Sequence, residues 1–80
     1  MNKKATTKDE LFLLKLYELA GEGEIDRYTI GRAIGQNDKG IDTIVNLLAQ
    51  ANFIKKGSDN AVFLTPHGMR LALQLRGERG

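Results

Sequence analysis

A mainly helical domain carrying a small β-hairpin is the fold class this chain predicts, in the order helix, short strand, helix, helix, strand, strand, helix. Three observations predict it. Apolar residues recur at helical spacing in several stretches, most cleanly where Ile41, Ile44, Val45 and Leu48 fall at i, i+3, i+4 and i+7. That spacing then stops, and two short apolar runs, "FIKK" and "AVFL", flank the turn-forming "GSDN". Residues suited to helix caps sit at the boundaries, and the single proline, Pro66, stands where a last helix would begin.

The elements follow in order. "TKDELFLLKLYELAG" places Thr7 and Glu10 at capping-box spacing, acids in the first turn, and Gly21 where a left-handed residue closes the helix. In "EIDRYTIGRAIG", Asp26 is an N-cap after an isolated Ile25 that suits a minimal strand. Tyr28, Ile30, Ala33 and Ile34 continue at helical spacing until Gly35. "QND" forms a polar turn in which Asn37 or Asp38 can cap the third helix. Opposite the apolar stripe of that helix, at about 100° per residue, lie Lys39, Thr43, Asn46 and Gln50, with Asp42 on the flank. Asn52 stands where this helix must stop, and asparagine tolerates the left-handed conformation better than other side-chain-bearing residues. Thr65 can cap the last helix, whose spacing runs through Met69, Ala72, Leu73 and Arg76.

Eighty residues suffice for one domain, 1–80, with 1–6 expected as a flexible tail and 76–80 as a frayed end. A chain of this length buries only about 60% of its unfolded surface, so no separate ligand-sensing domain is expected. Without cysteine, and with His67 the only histidine, neither a thiolate metal site nor a His-paired nucleophile can be assembled. No Gly-rich phosphate motif is present, and Glu22, Glu24 and Asp26 cluster in a segment that reads as a solvated loop. An enzyme is therefore not expected, nor a cofactor or small-molecule ligand. The first apolar run contains Lys15 and Glu18, which suits neither a signal peptide nor a membrane span, so a cytoplasmic location away from membranes is expected. Net charge is +2, unevenly spread: residues 1–51 carry 7 basic and 8 acidic side chains, residues 52–80 carry 5 and 2. The hairpin and last helix form the basic end.

That element order, with "IDRYTIGRAIGQN" running into "IDTIVNLLAQANFI" and then "LTPHG", resembles the winged helix-turn-helix family, most closely the small regulators of the MarR and PadR type. Ile30, Gly31 and Ile34 match the family's "L-A-x-x-L", Leu48 and "NFI" its "L-x-x-x-G-L-I", and "LTPHG" its "L-T-x-x-G". Gly31 departs from the usual alanine, which costs the second helix up to about 1 kcal/mol. Asn52 departs from the usual glycine. The resemblance implies sequence-specific binding of double-stranded DNA by a transcriptional regulator, with the third helix in the major groove and the hairpin wing on the backbone.

In that arrangement Asn46 could read adenine, Lys39 could reach guanine or phosphate, and Thr43 could touch a thymine methyl. Lys55, Lys56, Ser58 and Asn60 would offer donors to the backbone, and Arg27 and Tyr28 could approach another phosphate at the start of the second helix. Asp38, Asp42 and Asp59 count against strong affinity, since each would face phosphate; Asp42 could instead accept from a cytosine amino group, and Asp38 could serve only as a cap.

Blander readings stand beside these. A polar outer face is what any surface helix needs, Lys55 and Lys56 suit an edge strand that resists aggregation, and His67 reads as exposed and idle. The alternative function is a winged-helix module for protein association without DNA readout. Leu11 and Leu14 of the first helix and Leu71 and Leu75 of the last broaden their apolar faces. This suits either a homodimer interface or simple packing of those helices within a monomer.

Overall fold

The backbone is described for residues 7–79 in the computed structural model of the chain, and side chains for residues 7–77. Local sequence signals account for each boundary. The Thr7 hydroxyl accepts from Glu10 N at 3.2 Å, and the Glu10 carboxylate accepts from Thr7 N at 3.1 Å. This reciprocal pair satisfies two donors that a helix start leaves open, and it begins α1 (Lys8–Ala20). Asp26 closes the two-residue β1 (Ile25–Asp26) and caps α2 (Arg27–Ala33) by accepting from Tyr28 N at 2.7 Å.

Of the two candidate caps for α3 (Asp38–Gln50), Asn37 is the one used, accepting from Gly40 N at 2.8 Å. Asn52 takes the left-handed conformation after α3, with φ 66°. The chain then forms β2 (Ile54–Lys56) and β3 (Ala61–Leu64) before α4 (Pro66–Arg79). Helix α4 takes in residues 76–79, which the sequence placed at a frayed end. The expected tail, residues 1–6, lies outside the described residues.

The three strands form one antiparallel sheet in the order β1-β3-β2, with Ile25 opposite Val62 and Ile54 opposite Leu64. Against it pack Phe12, Leu13 and Leu16 of α1, Ile30 of α2, the stripe Ile41, Ile44, Val45 and Leu48 of α3, and Ala72 of α4. Each large aliphatic side chain taken fully out of water stabilises the fold by about 1.5–3 kcal/mol, so the α3 stripe alone fixes which side of that helix faces outward. Among the described residues no helix is long and apolar enough to cross a membrane.

Two glycines are required by close approach. A Cβ on Gly31 would overlap the Ile41 side chain, so the residue that weakens α2 as a helix is what lets α2 seat against α3. A Cβ on Gly68 would overlap the backbone carbonyl of Phe53, which also accepts from Thr65 N at 3.1 Å. The Thr65 hydroxyl completes this joint. It accepts from Gly68 N at 2.9 Å and donates to Asn52 O at 2.6 Å, tying the end of α3 to the start of α4.

One expectation is corrected. Leu14 and Leu75, read as surplus apolar surface for a dimer, are only 2% and 7% exposed, because α1 and α4 pack along one another within the chain. Leu11 and Leu71 are half-buried. Contact between the two helices thus accounts for Leu14 and Leu75, while Leu19 and Leu73 of the same helices are 49% and 46% exposed.

Candidate functional site

Burial of the α3 stripe leaves Lys39, Thr43, Asn46 and Gln50 exposed in a row along the opposite side. Thr43 donates its hydroxyl to Lys39 O at 3.1 Å, one turn back in the same helix. Beside this row stands the β2–β3 hairpin, and the two surfaces are joined: Lys56 Nζ donates to Asn46 Oδ1 at 3.1 Å.

Strand alternation separates the two hairpin lysines, which the sequence analysis treated together. Side chains of successive strand residues point to opposite faces, so Lys56 shares the face of buried Ile54 and reaches α3, whereas Lys55 lies opposite Phe63 on the other face. At the hairpin tip Ser58, Asp59 and Asn60 are exposed, Asp59 adopts φ 50°, and Gly57 N donates to Ala61 O at 2.8 Å.

Arg27 and Tyr28 are placed differently from the phosphate role the sequence suggested. Arg27 is 11% exposed in its side chain, donates through Nε to Asn60 O at 3.1 Å, and lies 3.5 Å from Asp42 Oδ1 through Nη1. Tyr28 Oη donates to the same carboxylate oxygen at 2.9 Å. Their backbone amides are also taken, that of Arg27 by Asn60 O at 2.9 Å and that of Tyr28 by the Asp26 cap. Through these contacts the two residues link α2, α3 and the hairpin tip.

The same contacts change the meaning of the acidic residues. Asp42 is shared between Tyr28 and Arg27, and Asp38 pairs with Arg32 at 3.0 Å, whose guanidinium also lies 5.6 Å from the Tyr28 ring centroid. Two of the three aspartates counted against a polyanion partner therefore meet an arginine of α2. Both contacts to Asp42 fall on Oδ1, and its side chain is 48% exposed. No ion pair of Lys39, Lys55, Lys56 or Asp59 is found among the described residues. Hydrogen bonding to the Asp42 carboxylate, then desolvation by burial and the negative charge of that carboxylate, raise the Tyr28 hydroxyl above the ordinary value of 10.0.

Sequence reasoning also missed the surface around Leu47 and misread His67. Leu47, on the side of α3 away from Asp42, is 50% exposed. It borders a shallow groove of about 300 Å³ shared with Leu13, Ala51, Phe53 and Leu71, with Asp9 and Glu10 also lining it. Leu47 belongs to neither the buried stripe nor the polar row, and the length of the "NLLAQ" apolar run was the one signal for it. His67 is exposed but not idle, since its ring stacks on Phe53 at 4.5 Å between centroids and 9° between planes.

Among the described residues, no group of three His, Cys, Asp or Glu side chains is placed to hold a metal ion. No family model matches the chain, and neither a curated protein nor a solved structure is significantly similar to it.

Proposed function

We propose that the chain is a winged-helix domain that binds double-stranded DNA as a small transcriptional regulator. Helix α3 enters the major groove, and the β2–β3 hairpin lies against the backbone. The observation that carries this reading is the continuous ridge of Lys39, Thr43 and Asn46, joined to the hairpin by the Lys56–Asn46 hydrogen bond. A helix of about 10–12 Å diameter with its side chains fits a major groove about 12 Å wide. Pairing of Asp38 and Asp42 with arginines supports the reading further, because it removes much of the repulsion those carboxylates would feel from phosphate. Lys39, Lys55 and Lys56 supply the phosphate and base-edge donors, Ser58 and Asn60 neutral donors at the tip, and Arg27 and Tyr28 hold the parts in register.

A fluorescence-polarisation titration of labelled duplex across a salt series tests it. Affinity is expected to fall with salt, at a log–log slope of about −2 if Lys39 and Lys55 each displace a counterion. Absence of binding at the lowest salt would overturn it.

The rival is a winged helix that docks on a protein, and the groove beside Leu47 favours it. There an exposed leucine adjoins half-buried Phe53 and Leu71, an apolar surface that duplex DNA would leave uncovered. The DNA reading is preferred because Lys39 on the ridge and Lys55 and Lys56 on the hairpin form no ion pair among the described residues.

A further inference from the structure

We infer that residue 46 selects guanine rather than adenine, because Lys56 fixes the Asn46 amide with its donors outward. This deepens the DNA-binding reading and rests on it. An asparagine that reads adenine must donate to N7 and accept from the N6 amino group, so its oxygen has to face the base. Here the oxygen is already engaged, with Lys56 Nζ 3.1 Å from Oδ1. The assignment of oxygen and nitrogen within the amide is forced by chemistry: an ammonium carries three donors and no acceptor, so the atom facing it must be the oxygen.

The amide oxygen keeps a second lone pair, but that does not restore adenine. The N6 hydrogens of adenine would have to approach an oxygen that already faces a full positive charge, in a groove where displaced water strengthens the repulsion. What the pair does offer outward is the Asn46 NH₂ and the remaining hydrogens of the Lys56 ammonium, a surface of donors only. Guanine alone presents two acceptors, N7 and O6, side by side on its major-groove edge. Cytosine presents a donor there, and thymine a single acceptor beside a methyl group. The hairpin thereby takes part in base choice, whereas the sequence alone gave Lys56 a backbone role and Asn46 an adenine.

Selection of preferred duplexes from a random pool, run in parallel with the wild type, Asn46→Ala, Asn46→Asp and Lys56→Met, tests the inference. Asn46→Ala identifies the base step that residue 46 specifies, as the position that becomes degenerate. The wild type is expected to show guanine there. Lys56→Met frees the amide to turn and should shift that step toward adenine, changing the guanine-to-adenine ratio by about tenfold. Asn46→Asp keeps an acceptor for the ammonium but removes the amide donors, and should lose the guanine preference. Both side chains are exposed, and a thermal melt of each variant confirms that it remains folded. Adenine at that step in the wild type, unchanged by Lys56→Met, overturns the inference while leaving DNA binding intact. Failure of the wild type to enrich or bind any duplex overturns the function on which it rests, and the inference with it.

Discussion

The two flanks of α3 are attached to the chain by different kinds of force. On the Asp42 flank, Tyr28, Arg27 and Arg32 reach across from α2 with directional polar contacts, Tyr28 Oη to Asp42 at 2.9 Å and Arg32 to Asp38 at 3.0 Å. Beneath them Gly31 allows Ile41 to sit against the α2 backbone. On the Leu47 flank no such cross-link is found among the described residues, and α3 meets α1 and α4 across an open apolar groove. Directional bonds of the first kind fix orientation, whereas apolar contact of the second kind supplies stability with little angular preference. The DNA-binding role proposed above needs the rotation of the ridge about the helix axis to be set, and the polar flank is the part of the molecule suited to that.

The largest expected effect breaks the polar flank at its base. Gly31→Ala gains about 1 kcal/mol of helix propensity but forces a Cβ into Ile41, an overpacking that costs roughly 1–3 kcal/mol. The net expectation is destabilisation, seen as a lower urea midpoint. An unchanged or raised midpoint would mean that α2 and α3 are less closely seated than described.

Next in size is Asp42→Ala, which removes the acceptor shared by Tyr28 and Arg27 and, with that carboxylate half exposed, should lower the urea midpoint by less than Gly31→Ala does. It also carries a pH signature. Because the folded-state value of Tyr28 lies above 10.0, its neutral form is favoured by folding. That stabilisation is complete below pH 10 and lost as pH rises through the folded-state titration. In a Tyr17→Phe background, absorbance at 295 nm follows Tyr28 alone, and Asp42→Ala should bring its midpoint back down toward 10.0.

Smaller still is the effect of Lys55→Ala. An exposed substitution of this kind leaves stability within about 0.5 kcal/mol. It should weaken binding to all duplexes alike and make the salt slope shallower by about 1. The contrast with Lys56, whose change should alter base choice, follows from their opposite faces on β2.

The smallest effect on stability and DNA binding is expected from Leu47→Ser, on the apolar flank, because this side chain is half exposed and away from the ridge. If Leu47→Ser abolishes capture of a protein partner while Lys55→Ala does not, the association reading takes precedence. If it leaves duplex affinity unchanged, the division of labour between the flanks holds.

Much of the architecture was legible because its causes are local. The Thr7–Glu10 box, the Asp26 cap, the left-handed Asn52 and the Thr65–Pro66 start all depend on residues within four positions of one another. The outward row on α3 was legible for the same reason, since helical periodicity places Lys39, Thr43 and Asn46 opposite the apolar stripe. The site's internal wiring was not. Asp42 finds Tyr28 at a separation of 14 residues, and Arg27 finds Asn60 at 33, through the packing of separate elements. Leu14 and Leu75 look like spare apolar surface on a helical wheel and are covered only because α1 and α4 lie together.

By itself, then, the sequence determined the order of the helices and strands, most of their starting points and which side of α3 turns inward, since short-range hydrogen bonding and the hydrophobic period act along the chain. Tertiary structure alone decided that Gly31 is a seat for Ile41, that Lys55 and Lys56 serve different surfaces, and that Asp42 faces arginine. Those outcomes depend on which atoms from distant segments are brought within a few ångströms, and the order of residues along one segment carries no record of its neighbours in space.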